Sequence, residues 1–283
     1  MTKPRSMSVK IESEDEQRRL AVLIDADNAQ ASVIEALLAE VAKFGVASVN
    51  RIYGNWTNTQ NASWKNHLLK HSIAPVQQFA YTTGKNATDS ALIIDAMDLM
   101  YTQRFDGFCL VSSDSDFTRL AQRLREEGLM VYGFGRKQTP DAFVAACDKF
   151  IFTEIFQPEV LEPDASNPFV KNQMIGSVTL VPSQDILEEA KNSESIKSNE
   201  PEIEDFIAKA IEENADESGC VALANLGSYL VRVRPDFEPR NYGHKKLSDL
   251  LLKKYPTRFL IEEKTLPNRA KTTYVRIKSG SGV

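Results

Sequence analysis

The sequence predicts an α/β protein with a parallel sheet flanked by helices, followed by a small winged-helix module. Three observations predict it. Short apolar runs alternate with helix-length amphipathic stretches between Arg19 and Thr153, the pattern of parallel strands joined by right-handed crossovers. From Gln157 to Pro201 the chain turns to Ser, Asn, Glu and Asp punctuated by Pro158, Pro163, Pro168, Pro182 and Pro201, as a linker does. Beyond it, three helix-like stretches precede two strand-like ones, an order that fits a winged helix. The expected organisation is a mobile leader over residues 1–18, an α/β domain over 19–156, a linker over 157–201 and a winged-helix domain over 202–278.

The elements follow in order. Arg19-Leu-Ala-Val-Leu-Ile-Asp25 reads as a short buried strand. Ala29 to Phe44 reads as a helix with Val33, Leu37, Leu38 and Val41 on one face, stopped by Gly45. Val46 to Tyr53 is strand-like, Ser63 to His71 helical and Ile73 to Tyr81 strand-like. Thr88 to Gln103 is a longer helix carrying Ala91, Ile94, Met97, Leu99 and Tyr101. Phe108 to Ser112, Leu129 to Gly133 and Phe150 to Thr153 read as strands; Phe117 to Glu127 and Pro140 to Cys147 read as helices. Within the linker, Met174 to Leu180 is a candidate ordered segment. After it, Ile203, Phe206, Ile207, Ala210 and Ile211 fall at helical spacing, Val221 to Val231 is a second helix, and Leu247, Leu250 and Leu251 mark a third. Phe259 to Glu263 and Thr272 to Ile277 complete a terminal hairpin.

Composition narrows the function. The 283 residues favour two domains, and 42% apolar content allows sizeable cores. No apolar run reaches the length of a membrane span, so no membrane partner is expected. The charged stretch from Met1 to Arg19 lacks the apolar segment of a secretory signal. Cys109, Cys147 and Cys220 are odd in number and form no CxxC pair, which points to reduced buried thiols and a cytoplasmic setting. The three histidines show no ligand spacing with them, which argues against zinc. The net charge of -5 speaks weakly against nucleic acid, but an average over two domains can hide a basic face.

Acids collect where strands run into helices. Gly107-Phe-Cys-Leu-Val-Ser-Ser-Asp114-Ser-Asp116-Phe117 runs from an apolar strand into two aspartates; Asp25-Ala-Asp27-Asn28 and Thr88-Asp89 stand at two other junctions. In an open α/β sheet, ligands bind outside the carboxyl ends of strands. Capping accounts for each junction singly: Ser113-x-x-Asp116 resembles a capping box, Thr88 or Asp89 can cap the next helix, and Asp27 or Asn28 the helix at Ala29. It does not account for the total, because like charges gathered in a cleft are costly without a cation. Hard oxygen ligands with no His or Cys beside them point to Mg2+ or Mn2+. Such an ion lowers the pKa of a water and stabilises charge on a phosphoryl oxygen, which implies phosphodiester hydrolysis.

On these residues, positions 19 to 155 resemble an NYN domain of the LabA/DUF88 type, a PIN-like ribonuclease fold. The matching pieces are Val22-Leu-Ile-Asp25-x-x-Asn28, Thr88-Asp89 with Asp95 further along the helix, and Val111-Ser-Ser-Asp114-Ser-Asp116-Phe117. The resemblance implies an acidic metal site at Asp25, Asp89, Asp114 and Asp116, with Asn28 orienting Asp25 or meeting a scissile phosphate. Asp27 is read as a cap or an extra ligand, Asp95 as an outer support, and Lys85 as a solvated side chain or a phosphate contact. A haloacid-dehalogenase-type phosphatase shares the Asp25-Ala-Asp27 opening, but it wants Thr or Val where Ala29 stands, and a downstream lysine motif is missing.

Residues 202 to 278 resemble a LOTUS (OST-HTH) domain, through Leu226-Gly-Ser-Tyr-Leu230, Pro235-Asp-Phe237 and Pro239-Arg-Asn-Tyr-Gly243-His-Lys-Lys-Leu-Ser-Asp-Leu-Leu251. The resemblance implies RNA binding. Charge agrees: Arg232 through Lys278 hold thirteen Lys or Arg against five Asp or Glu. Arg240, Lys245, Lys246, Lys253 and Lys254 surround one helix with Tyr242 and His244 among them, so cations can meet phosphates and rings can stack on bases. The alternative is that Tyr242 packs in a core and the lysines form a solvated face. Trp56, Trp64, Lys65, His67 and Lys70, near Asn55 and Asn58, form a second candidate rim, although Trp64 and Leu68 at i and i+4 also suit core packing. Together these expectations describe a cytoplasmic, divalent-metal-dependent ribonuclease with a C-terminal RNA-binding module. The competing class is an RNA-binding or scaffold protein with an inactive nuclease domain.

Overall fold

The computed structural model describes residues 17–57, 59–79, 87–157, 200–265 and 271–278, which fall into two compact units divided at Phe156. The first unit holds a parallel sheet of β1 (Arg19–Asp25), β2 (Val46–Gly54), β3 (Ala74–Gln77), β4 (Gly107–Val111), β5 (Met130–Gly135) and β6 (Lys149–Phe152). Its order is β3-β2-β1-β4-β5-β6. Chain order therefore reverses between β1 and β4, the place where α/β sheets open a crevice.

Alternation of side chains along the central strands divides the core in two. Ala21, Leu23, Phe108, Leu110 and Val131 face one side. There they pack against α3 (Ala87–Tyr101), α4 (Thr118–Glu126) and α5 (Asp141–Ala146), through Leu92, Ala96, Leu120, Leu124 and Phe143. Leu20, Val22, Ile24, Cys109, Val111 and Phe134 face the other side, under α1 (Ile34–Val41) and Trp64, which precedes α2 (Lys65–Lys70). Burial on both faces explains why β1 and β4 read as unbroken apolar runs. All five residues of β4 are buried.

Helix ends differ from expectation in ways that bear on the acids. The helix expected from Ala29 begins as a 3-10 turn at Ala31–Val33 and continues as α1. Its N-cap is Gln30, whose side chain makes no cap hydrogen bond, so neither Asp27 nor Asn28 caps it. α3 begins at Ala87, which places Asp89 inside the first turn instead of at a cap. Ser113 was expected to cap the helix after β4; the cap is Asp114, whose Oδ1 accepts from the Asp116 amide at 2.9 Å. Ser113 Oγ instead accepts from the Arg136 amide at 2.8 Å. Gly128 ends α4 as expected, with φ 81° and hydrogen bonds from its own amide to Arg125 and from Leu129 to Leu124.

The second unit contains α6 (Glu200–Asn214), β7 (Val221–Ala222), α7 (Leu223–Val233) and α8 (Leu247–Asp249), which runs on as a π-type turn over Leu250–Lys254. β8 (Phe259–Thr265) and β9 (Lys271–Ile277) form the antiparallel wing, and β7 adds to it in the order β7-β9-β8. Val221 and Ala222 were expected to be helical; pairing with Val275 and Tyr274 makes them a strand. Ile203, Ile207, Leu226, Leu230, Leu250, Leu251, Phe259 and Val275 fill the core. The candidate segment at Met174 to Leu180, Asn58 and Lys85 lie outside the described residues. Among the described residues no helix is long and apolar enough to cross a membrane.

Candidate active site at the strand ends

Asp25 ends β1 beside the switch between β1 and β4, and it is fully buried. Three donors hold its carboxylate. Asn28 Nδ2 donates to Oδ2 at 2.7 Å, Ser112 Oγ donates to the same oxygen at 2.8 Å, and the Asp27 amide donates to Oδ1 at 3.0 Å. Burial pushes the Asp25 carboxyl above its ordinary range, while these hydrogen bonds pull it down. The Asn28 amide is thus hydrogen-bonded to the Asp25 carboxylate. Ser112, which the sequence reading did not single out, links the two strand ends: its hydroxyl also accepts from the Asp114 amide at 3.1 Å.

Beyond this anchor lie Asp89, Asp114 and Asp116. One carboxylate oxygen from each lies within 4.8 Å of the others. Burial, followed by the charges of Asp25, Asp114, Asp116 and Asp27, raises the Asp89 carboxyl to about 6. The structure therefore brings three of the four expected acids close together, with the buried Asp25 near enough for its charge to act on Asp89. Oxygens at that spacing suit a hard divalent cation, whose bonds to oxygen run about 2.0–2.6 Å. The donor set is all oxygen.

Other acids and aromatics are used elsewhere. Asp95 pairs with Arg51 and accepts from the Tyr53 hydroxyl, fastening α3 to β2. Asp27 and Asp98 are exposed. Trp64 is core, as its spacing suggested, and Trp56 donates from Nε1 to the Val76 carbonyl at 3.0 Å while packing against the same core. Lys70 pairs with Glu35 and Lys65 is exposed; His67 stacks on His71 with ring centroids 6.1 Å apart.

In the second unit the residues expected to meet RNA divide. Tyr242 packs against Phe237 with ring centroids 6.1 Å apart, and burial raises its hydroxyl pKa, so most of the ring serves the core. Lys254 sits over that ring at 5.7 Å. Arg240 pairs with Glu238 at 3.1 Å. Lys245, Lys246 and Lys253 are exposed and form no ion pair among the described residues, and His244 is half-buried.

Comparison with known proteins agrees with this division. The NYN domain family matches residues 19–156, and the OST-HTH/LOTUS domain family matches residues 194–269. No curated protein matches the chain. Among solved structures, a Vibrio parahaemolyticus protein of unknown function is 19% identical with a TM-score of 0.40, covering 49% of this chain and 94% of its own. An uncharacterised Nitrosomonas europaea protein is 28% identical with a TM-score of 0.26, covering 44% of this chain and 97% of its own. Neither of these two likenesses bears on function.

Proposed function

Because the chain carries a PIN-like NYN domain and an OST-HTH/LOTUS domain, an architecture that is ribonuclease-like, we propose that it is a divalent-metal-dependent endoribonuclease acting on RNA that its second unit captures. The observation that carries this reading is the convergence of Asp89, Asp114 and Asp116 within 4.8 Å beside the buried Asp25. LabA/DUF88 is the branch of the family that the three acidic motifs resemble.

Asp89, Asp114 and Asp116 would hold Mg2+ or Mn2+, with Asp25 as the fourth acid of the site. A bound ion of this kind supplies a Lewis acid that makes a water more nucleophilic and neutralises charge on the phosphoryl oxygens. The protein's own groups do the rest. Asn28, Ser112 and the Asp27 amide fix Asp25 in one orientation. The Ser112 hydroxyl and the Asp116 amide fix Asp114 from both sides. A carboxylate held this way needs no reordering when ligand arrives.

In the second unit, Lys245, Lys246 and Lys253 offer charge to phosphates, supported by Arg240, His244 and Lys254, while Tyr242 shapes the surface from beneath. Joining both units in one chain raises the local concentration of RNA near the acids. The buried, unpaired thiols of Cys109, Cys147 and Cys220 fit a cytoplasmic setting.

The test incubates the purified chain with labelled single-stranded and structured RNAs, with Mg2+, Mn2+ or chelator. Internal cuts that need a metal support the reading. RNA binding without cleavage under either metal sinks it and favours a binding or scaffold protein.

A further inference from the structure

Arg136 follows β5 directly, on the same edge of the sheet as Asp25 and Asp114. Its main chain is fixed on both sides. The amide donates to Ser113 Oγ at 2.8 Å, one residue before Asp114. The carbonyl accepts from the Thr139 amide at 3.0 Å and from the Thr139 hydroxyl at 2.6 Å. With both peptide groups held, the base of the side chain has a set position relative to the acids.

The guanidinium has no matching partner. The half-buried arginines of the first unit are Arg51, Arg123 and Arg136. Arg51 pairs with Asp95, and Arg123 with Glu126 and Glu127. Arg136 forms no ion pair and donates no side-chain hydrogen bond among the described residues, and its Nε is enclosed without an acceptor. An enclosed charged donor left unsatisfied is costly, and in a native structure it calls for an explanation. Arg136 lies at the rim of a water-sized, mainly apolar cleft whose lining also includes Asn28, the residue hydrogen-bonded to Asp25.

The surroundings point to a ligand for it. A phosphodiester approaching Asp89, Asp114 and Asp116 meets repulsion that an ion offsets only at the reacting group. Phosphates to either side on the strand need cations of the protein's own. A guanidinium is suited to this, because its planar fork makes paired charge-assisted hydrogen bonds to phosphate oxygens. We propose that Arg136 binds a phosphate of the RNA strand flanking the acidic cluster, and so sets the strand's path across the sheet edge between β1 and β5. This rests on the ribonuclease reading only for the identity of the strand. Glu154, whose Oε2 is also enclosed without a partner, offers the structural alternative, in which a water joins it to Arg136.

The experiment compares the full chain with Arg136→Gln and Arg136→Lys, measuring binding of a labelled single-stranded RNA over a salt series, with melting temperatures alongside. Loss of one phosphate contact lowers the slope of log affinity against log salt by about 0.7. The expected result is that decrease for Arg136→Gln, with weaker binding at low salt and recovery of most of the slope in Arg136→Lys. An unchanged slope and affinity overturns the proposal, whether or not the melting temperature falls; a fall in melting temperature alone assigns Arg136 to Glu154. Cleavage is scored separately on the wild-type chain. A slope change without cleavage keeps Arg136 as a phosphate contact and removes the ribonuclease reading. Cleavage with an unchanged slope does the reverse.

Discussion

The strand ends of the first unit and the helical face of the second leave opposite charges uncompensated. Around the first unit, Arg51, Arg119, Arg123 and Arg125 each hold a carboxylate, yet Asp89 and Asp114 form no ion pair among the described residues. In the second, Arg234, Arg240, Arg258 and Arg276 hold acids, while Lys245, Lys246 and Lys253 do not. Pairing is the default for a half-buried charge, so the unpaired Asp89 and Asp114 stand out, whereas the exposed lysines are distinguished only by their clustering. Under the proposed function, the acids would take a divalent cation and the lysines the phosphates of RNA.

The largest expected effect breaks the acidic side alone. Asp114→Asn should lower the cleavage rate about 10^3-fold, since charge stabilisation of several kcal/mol is removed at 1.36 kcal/mol per tenfold. RNA capture by the second unit should stay within about twofold in the same preparation, a change of roughly 0.4 kcal/mol. If both activities fall together, circular dichroism decides whether the fold has been lost.

A smaller effect comes from the hydroxyl that joins the strand ends. Ser112→Ala removes one donor to Asp25 and the acceptor for the Asp114 amide, both within hydrogen-bond distance. Partners of this kind typically change metal affinity or activity about 10–100-fold. Mn2+ titration followed by electron paramagnetic resonance should show weaker binding, with Ser112→Thr retaining most of it.

On the basic side, replacing Lys245, Lys246 and Lys253 together by Glu should lower the salt slope of RNA binding by about 2 on a single strand. These side chains are exposed and unpaired, so the melting temperature should barely move. A change in melting temperature without a change in slope would make them a solvated face.

The last prediction concerns pH in the ion-free protein. The Asp89 carboxyl is raised to about 6 from an ordinary 3.8, so the folded chain binds this proton more tightly than the unfolded chain. Its contribution to stability is therefore most favourable below pH 4 and declines as pH rises toward and through 6. With chelator, Asp89→Asn should melt slightly higher than wild type at pH 7, and the difference should vanish near pH 4. Mn2+ should reverse the order at pH 7 by stabilising wild type more.

Much of this was legible in the sequence because it follows from periodicity. The strict apolar runs of β1 and β4 and the helix stop at Gly128 placed the sheet and the ends that carry Asp25 and Asp114, whereas the helix expected to run to Gly45 ends at Val41. The acids were legible because too many stood at strand ends for capping to explain. What stayed hidden depends on contacts distant in sequence. Ser112 is an ordinary serine until β1 and β4 pair, and only then does its hydroxyl reach Asp25 across 87 positions. Asp95 was read as an outer support of the site, and its actual partners, Arg51 and Tyr53 on β2, are more than forty positions away in sequence. Arg136 carried no motif at all. Local competition also escaped: Val221 and Ala222 suit a helix by pattern but become a strand because β9 offers them a partner.

The most direct measurement of the central claim couples Mn2+ binding to RNA cleavage on the wild-type chain and Asp114→Asn. Cleavage of a labelled RNA should rise with Mn2+ over the same concentrations at which the ion binds. The variant should shift binding to higher Mn2+ and cut little at any concentration while still holding RNA. RNA captured tightly and left uncut by the wild type, with Mn2+ bound and saturating, would contradict it.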